Sequence, residues 1–531
     1  MNRFAELLDR LVLTPSRNGK LTLLTDYFRA VEDPDRGLAL AAITGDLKIP
    51  AVKPAMLRAL VMERMDPVLF GFSYDYVGDL AETVSLVWPR SRAALAGHAP
   101  TLGEVVDELQ AVSRSDGPKV VAGLLDSIDI DARYALVKLV TGGLRIGVSA
   151  RLAKQAVANL GPVDVAEIEE LWHGLVPPYA GLFAWLEGSA PKPAKTANAL
   201  FRPVMLANPI GDGDFEKFDP IDYTAEWKWD GIRVQAVSEG GVRRLYSRTG
   251  DDVSGAFPDL AEAMDFSGAL DGELLVGTPS ATGTFSDLQQ RLNRKTVSAK
   301  IMQQYPAFMR CYDLLQEGGE DLRALPLAQR RGRLEIFART LDPTRFDLSP
   351  LVAFEGWRDL EALRGAPPHP IIEGVMLKRR DSPYLAGRPK GPWFKWKRDP
   401  HTVDAVLMYA QRGHGKRSSF YSDYTFGVWS GPAGAEQLVP VGKAYFGFTD
   451  EELRKIDKYV RDNTVERFGP VRSVRADRQA GLVLEVAFEG LARSTRHKSG
   501  VAMRFPRISR LRWDKPSAEA DRLETLQALL D

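Results

Sequence analysis

Residues 226–235, EWKWDGIRVQ, set one lysine, Lys228, between Trp227 and Trp229 and follow it with Asp230, Gly231 and Arg233. In a strand, where alternate residues share a face, Glu226, Lys228 and Asp230 fall on one side and the two tryptophans on the other. A lysine acts as a covalent nucleophile only when part of its population is neutral, and burial or neighbouring positive charge lowers its pKa. The tryptophans offer burial and Arg233 offers charge, so a nucleophilic Lys228 is one reading of the stretch. A solvated edge strand is the other, and the pattern alone leaves both open.

Groups suited to phosphate chemistry recur downstream. SRTGDDVS, 247–254, offers Arg248 where a strand should end, and LDGELL, 270–275, offers Glu273 after a turn signal. CYDLL, 311–315, supplies Tyr312, a ring able to stack on a base, and EGVMLKRR, 373–380, supplies Glu373 and Lys378. In PWFKWKR, 392–398, Lys395 and Lys397 alternate and so share a face. RFPRISRLRWDK, 504–515, gathers Arg504, Arg507, Arg510, Arg512 and Lys515 with only Asp514 opposing. Taken singly, each has a plain structural reading: hairpin decoration for Glu273, core for Tyr312, a solvated strand face for the lysine pair, a generic anionic patch for 504–515.

The elements that must position these groups fall into three regions. Over 1–190, apolar residues recur at three and four, as in FAELLDRLVL, LGEVVDELQAV and DARYALVKLVTGGL, which predicts an all-helical domain. EGSAPKPAKTANALFRP, 187–203, has no periodicity and reads as a linker. From 203 to 398 short alternating segments (RVQAVSE, ALDGELLVG, GVMLKRR) are interspersed with a few helices such as DLAEAMDF and LAQRRGRLEIFART, which predicts a mixed α+β domain. From 399 to 531 strands dominate around one helix at 450–463, which reads as a small β-barrel.

Composition narrows the classes. At 531 residues about two to four domains are expected. Seventy basic residues balance seventy acidic ones, so only local charge can speak for a polyanionic partner. A single cysteine, Cys311, excludes a disulfide framework and a zinc site built on several thiolates, and the six histidines show no metal-binding spacing. The start reads as an amphipathic helix rather than a signal peptide, and the apolar runs are far short of a membrane span, so a cytoplasmic protein with no membrane partner is expected. GHGKRS, 413–418, does not supply the phosphate-binding loop of P-loop ATPases.

In this order, KxDGxR, SRxG, DGE, EGxMxK, WxKxK and RxDK match the motifs of the covalent nucleotidyltransferases, and the chain resembles the ATP-dependent DNA ligases of the three-domain type. KLVTGGLRIGVSARLAKQAVA, 138–158, is similar to the segment with which their helical domain grips the DNA backbone. RPVMLANP, 202–209, resembles the entry to their nucleotide pocket, and DAVLMYAQRGHGKRS resembles the opening of their oligonucleotide-binding (OB-fold) barrel. The resemblance implies an all-α DNA-binding domain (1–190), an adenylation domain (203–398) and an OB-fold domain (399–531). The activity implied is nick sealing in duplex DNA by a monomer, in replication, repair or recombination.

Roles follow from the resemblance. Lys228 would attack the α-phosphate of ATP and hold AMP; Glu226 would sit at the adenine end and Tyr312 would stack on the base. Arg233, Arg248 and Arg388 would contact sugar, phosphate or the nicked strand, and Glu273 and Glu373 would hold the sugar and Mg2+. Lys395 and Lys397 would neutralise the α-phosphate, Arg510 and Lys515 would orient the leaving pyrophosphate, and Arg145, Gly147 and Ser149 would meet DNA phosphates. The family usually has phenylalanine at the position of Tyr312, and the interval from Arg388 to Trp393 is one residue longer than the family's. An NAD-dependent ligase would bring a four-cysteine zinc module, whereas a capping guanylyltransferase or an RNA ligase would lack the long helical domain. A non-catalytic nick-binding scaffold would not need the full set of ionic groups present here.

Overall fold

The computed structural model describes residues 1–531 except 51, 78, 90–98, 195–197, 212, 293, 295, 413–419, 496 and 531. The stretch 413–418, His98, His414 and the middle of the expected linker therefore lie outside the described residues. The chain forms two compact units, one of Thr14–Leu47 and Gly147–Arg398, the other of Met1–Leu13, Lys48–Ile146 and Asp399–Asp531.

From 2 to 186 the described residues form helices and no strands. Their ends follow local chemistry. Thr101 and Glu104 close a reciprocal capping box on helix Leu102–Ala111, and Gly142, in a left-handed conformation, ends helix Ile130–Thr141. Ser149 accepts from the Leu152 N–H and starts helix Ala150–Ala158. Helix Asp35–Thr44 escapes the periodicity criterion because LALAA is apolar on every side, and residues 36–41 are buried accordingly. No described helix is long and apolar enough to cross a membrane.

The central region builds two sheets. Their main strands are β1 (Tyr223–Trp229), β2 (Ile232–Glu239), β3 (Val242–Ser247), β4 (Gly268–Thr278), β5 (Ala307–Glu317), β6 (Ile372–Arg379) and β7 (Trp393–Lys397). The smaller sheet runs Asn208–Pro209, β7, β6, β1, Leu351–Val352, and the larger runs β3, β2, β4, β5, Glu320–Asp321. Strand β1 is flanked by β6 along its length and by Leu351–Val352 only at Ala225 and Glu226; with Glu226 buried and Lys228 half-buried, its charges are not those of a solvated edge. Trp229 packs with Leu275 and Phe308 of the larger sheet and Ile371–Ile372 beside its own, with Trp227 against the same cluster. The stretch expected as linker is packed at its C-terminal end: Phe201 is buried, the Ala199 N–H donates to Glu239, and Arg202 pairs with Glu239. The helix expected over DLAEAMDF shortens to Pro258–Glu262, after which the chain turns into β4.

The C-terminal region is a second sheet-rich body. Strand β8 (His401–Arg412) pairs with Tyr421–Ser430 on one side and with Val471–Val474 and β9 (Val483–Phe488) along the other, and β9 continues to β10 (Arg507–Arg512). Helix Asp450–Asp462, capped by Thr449 and Glu452, sends Ile456 and Val460 into a core with Leu407, Tyr424, Phe426 and Leu484.

Candidate active site

Strands β1, β6 and β7 bring Lys228, Glu373, Lys395 and Lys397 together. Gly374 of β6 lies opposite Lys228 of β1 and Lys397 of β7, and Met376 lies opposite Glu226 and Lys395. Gly374 carries a positive φ, and a Cβ there would fall 2.3 Å from the Trp396 carbonyl oxygen, so only glycine lets the strands approach this closely. Next to it, Glu373 Oε2 lies 2.5 Å from Lys228 Nζ and 3.7 Å from Lys397 Nζ.

This pairing corrects one expectation. Burial works to lower the Lys228 pKa, but Glu373, with Glu273 and Asp230 behind it, outweighs burial and leaves the ammonium above its ordinary range. Burial would raise Glu373, yet Lys228 and Lys397 hold it below its ordinary range. The expected depression belongs to Lys395 instead: burial lowers it, and Arg388, Lys397, Lys228 and Arg248 add repulsion. Among the described residues Lys395, Arg248 and Arg388 have no carboxylate partner. A set of cations converging on one half-buried lysine is an anion site.

The larger sheet adds the other wall. Glu273 stands opposite Arg233 in the β2–β4 register. Burial pushes its carboxyl up to about 7, against the opposing pull of Lys228 and Arg233. The β4–β5 register slips between Asp271 and Gly272, whose partners are Asp313 and Cys311, so Tyr312 is the extra residue of a β-bulge. A bulge re-aims its side chain; the ring faces Lys378, whose ammonium lies 4.3 Å from its centroid. The Tyr312 hydroxyl, pushed up by burial, makes no hydrogen bond among the described residues. Glu226 is buried and bonded at 3.0 Å to the equally buried Lys378.

Arg233 is more constrained than its expected role suggests. Its guanidinium donates to Asp271 at 2.6 and 3.0 Å, to the Met205 carbonyl at 2.6 Å and to the Tyr384 hydroxyl at 3.0 Å. Arg248 and Arg388 are exposed on turns following β3 and preceding β7. Arg510, on β10, and Lys515, just after it, belong to the other unit. There the basic cluster meets more acid than Asp514 alone: Lys515 binds Asp404 at 2.7 Å, Arg512 shares that carboxylate at 3.1 Å, and Arg510 faces Glu485 across the ladder. Asp404 is 111 residues from Lys515 in sequence, so a linear reading could not pair them. In the helical region Arg145 and Gly147 have positive φ and are exposed, and the Gly147 carbonyl accepts from Lys20 at 3.2 Å.

Two participants, Asp271 and Tyr384, escaped the sequence reading of the site, and Asp230 and Lys378 were named there without a role. Asp271 stood inside the quoted DGE motif. Tyr384 had no signal, because its role depends on donating at 2.6 Å to Asp271, 113 residues away.

Comparison with known proteins agrees along the chain. The family model "ATP dependent DNA ligase domain" matches residues 204–397, "ATP dependent DNA ligase C terminal region" matches 417–515, and "DNA ligase N terminus" matches 1–158. A "Probable DNA ligase" of Koribacter versatilis is 30% identical over 574 residues, covering 100% of this chain and 96% of that one. Another from Anaeromyxobacter sp. (strain Fw109-5) is 31% identical, covering 98% and 96%. The solved structure described as "Pmar-Lig_PreS3" shares the fold with a TM-score of 0.61 at 15% identity, covering 96% of this chain and 99% of that one. The chain belongs to the ATP-dependent DNA ligases, enzymes of the nucleotidyltransferase superfamily that seal nicks through an adenylate intermediate.

Proposed function

We propose that Lys228 is the residue adenylated in this ligase. Its amine would displace pyrophosphate from ATP in line, forming a P–N bond to AMP as the P–O bond to the leaving group breaks. The AMP would then pass to the 5′-phosphate of a nicked duplex, and the 3′-hydroxyl would displace it. The observation that carries the reading is the convergence of Arg248, Arg388, Lys397 and Lys228 on Lys395, beside the carboxylates Glu373 and Glu273. Positive charge fixed in advance where a phosphoryl group reacts is how such sites stabilise the transition state.

Within this reading Lys395, Lys397, Arg248 and Arg388 bind phosphate, Tyr312 covers the adenine, and Glu226 lies at its far end. Arg233, tied to Asp271, acts by shaping the pocket wall rather than by donating to the nucleotide. Mg2+ fits the chemistry of the donors: Glu273 and Glu373, with Asp230 near, are hard oxygen ligands, and among the described residues no cage of three or more ligands is preformed. That suits a small cation that keeps phosphate and water in its shell, where it would neutralise phosphate oxygens.

The C-terminal region serves as an OB-fold barrel over 399–531, following the adenylation domain at 203–398, and a unit boundary between Arg398 and Asp399 supports that division. Residues 1–190, with Arg145, Gly147 and Ser149 at the helix start, hold nicked duplex DNA. The enzyme works as a cytoplasmic, nucleoid-associated monomer in replication, repair or recombination. Labelled ATP tests the core of the proposal. Lys228→Ala abolishes the covalent adduct but still seals a nick supplied already adenylated, and Lys228→Arg also fails because arginine stays protonated. An adduct surviving in Lys228→Ala would sink the assignment.

A further inference from the structure

The two exposed arginines of the anion site, Arg248 and Arg388, sit on turns that rest on the helical segment 150–173. A Cβ at Gly387 would fall 3.0 Å from Nη1, 3.1 Å from Cζ and 3.3 Å from Nη2 of Arg151. Such nearly equal distances mean that the guanidinium lies face-on against the residue preceding Arg388. Nη1 of that guanidinium donates to Glu169 at 2.5 Å, which fixes the group. On its other side Gly387 is clamped by two backbone bonds, its N–H donating to Val204 at 2.9 Å and its carbonyl accepting from Leu206 at 2.6 Å.

The second turn is held the same way. A Cβ at Gly250 would fall 2.5 Å from Cε1 and 2.7 Å from Nε2 of His173, two residues beyond Arg248. His173 packs its ring edge-on against Phe201 at 4.9 Å and tilted against Tyr246 at 5.8 Å. A third link comes from the same helix that carries Glu169: Glu170 pairs with Arg323, whose carbonyl accepts from the Tyr384 N–H at 2.8 Å, at the head of the Arg388 turn.

We infer that the segment 150–173 of the helical region is a buttress for the nucleotide site, with Arg151 as a positioning residue for Arg388 and His173 for Arg248. This rests on the reading of Arg248 and Arg388 as phosphate contacts. Its consequence is specific: the helical region contributes to the reaction with ATP itself, before any DNA is bound. A loop side chain in place gains its catalytic value from being held, and displacement by an ångström costs rate steeply. Arg151 is about half exposed, with its side chain 45% accessible, so shortening it leaves no large buried void.

The experiment is single-turnover adduct formation by the full-length protein from labelled ATP without DNA, together with binding of nicked duplex. Arg151→Ala should lower the maximal adduct rate by about tenfold or more while leaving the thermal midpoint within a few degrees. Arg151→Lys should fare no better, because it keeps the charge and loses the plane that lies on Gly387. The double variant Arg151→Ala/Arg388→Ala should be no slower than Arg388→Ala alone, since one residue acts through the other. Glu169→Gln, which loosens the anchor without shortening Arg151, should shift the rate in the same direction.

Normal adduct formation in Arg151→Ala, beside a slow Arg388→Ala, would overturn the buttress while leaving the reading of Arg388 intact. Normal adduct formation in Arg388→Ala would overturn that reading, and the buttress with it. Losses that add in the double variant, or a nick-binding defect rescued by Arg151→Lys, would make Arg151 an independent contact to DNA and overturn the inference.

Discussion

With Glu373 2.5 Å from its ammonium, Lys228 is protonated at neutral pH, whereas attack on phosphorus needs the free amine. In the proposed reaction that salt bridge would have to be exchanged first, and Glu373 would set the pH at which the amine becomes available. Glu373→Gln removes the largest influence raising Lys228, so the acid limb of the pH–rate profile for adduct formation should move to lower pH, even if the plateau falls. A limb that stays in place or moves up would mean that Glu373 does not control the nucleophile. Glu273 bears on stability. Its carboxyl titrates near 7 in the folded protein against 4.5 as its ordinary value. Below 4.5 it is protonated in both states. Between 4.5 and 7 the unfolded chain releases a proton that the folded one keeps, so stability falls as pH rises through that window and stays lower above it. The full effect is about 3 kcal/mol at most. Glu273→Gln should therefore raise the thermal midpoint at pH 8 but hardly at pH 4, while adduct formation is lost. A variant less stable at pH 8 would contradict the burial of this carboxyl.

At the scale of elements, the smaller sheet is held by charges it has buried. Glu226 and Lys378 are bonded at 3.0 Å with side chains 3% and 2% exposed. Removing one partner of such a pair leaves an uncompensated charge, typically costing about 3–5 kcal/mol, whereas replacing both by uncharged groups costs far less. Lys378→Met should thus lower stability by about that amount, and adding Glu226→Gln should recover most of it. Additive losses in denaturant unfolding would show that the two are not a pair. The face shared by Glu226 and Lys228 was legible in the alternation of EWKWD, and so were most strands, because each carries its own period of two. What stayed hidden depends on pairing between distant segments. The bulge that turns Tyr312 toward Lys378 is a register slip against β4, invisible in CYDLL. Arg233 reads as a spare cation beside Lys228 until β4 sets Asp271 against it. The buttress of Arg151 on Gly387 joins residues more than two hundred positions apart, and no local pattern announces it.

At the scale of the whole molecule, Lys228 belongs to one compact unit and Lys515 to the other, and Arg398–Asp399 is one of the places where the chain passes between them. Pyrophosphate is present only in the first step, as the leaving group, and afterwards nicked DNA has to reach the same nucleotide. A cation meant for pyrophosphate should therefore matter for adenylation and not for sealing. In this structure Lys515 and Arg512 share Asp404, at 2.7 and 3.1 Å, so neither is a generic exposed patch residue. Gripping an anion would mean exchanging that carboxylate for phosphate oxygens. Lys515→Ala should slow adduct formation by about a hundredfold, the usual effect of losing a well-placed charge contact of about 3 kcal/mol. Sealing of a nick that is already adenylated should change far less. If the cluster only binds DNA backbone, the order reverses: adduct formation stays normal while nick affinity drops and its salt dependence flattens. Measuring the two half-reactions separately on Lys515→Ala distinguishes these outcomes, and equal loss in both would exclude a role confined to pyrophosphate.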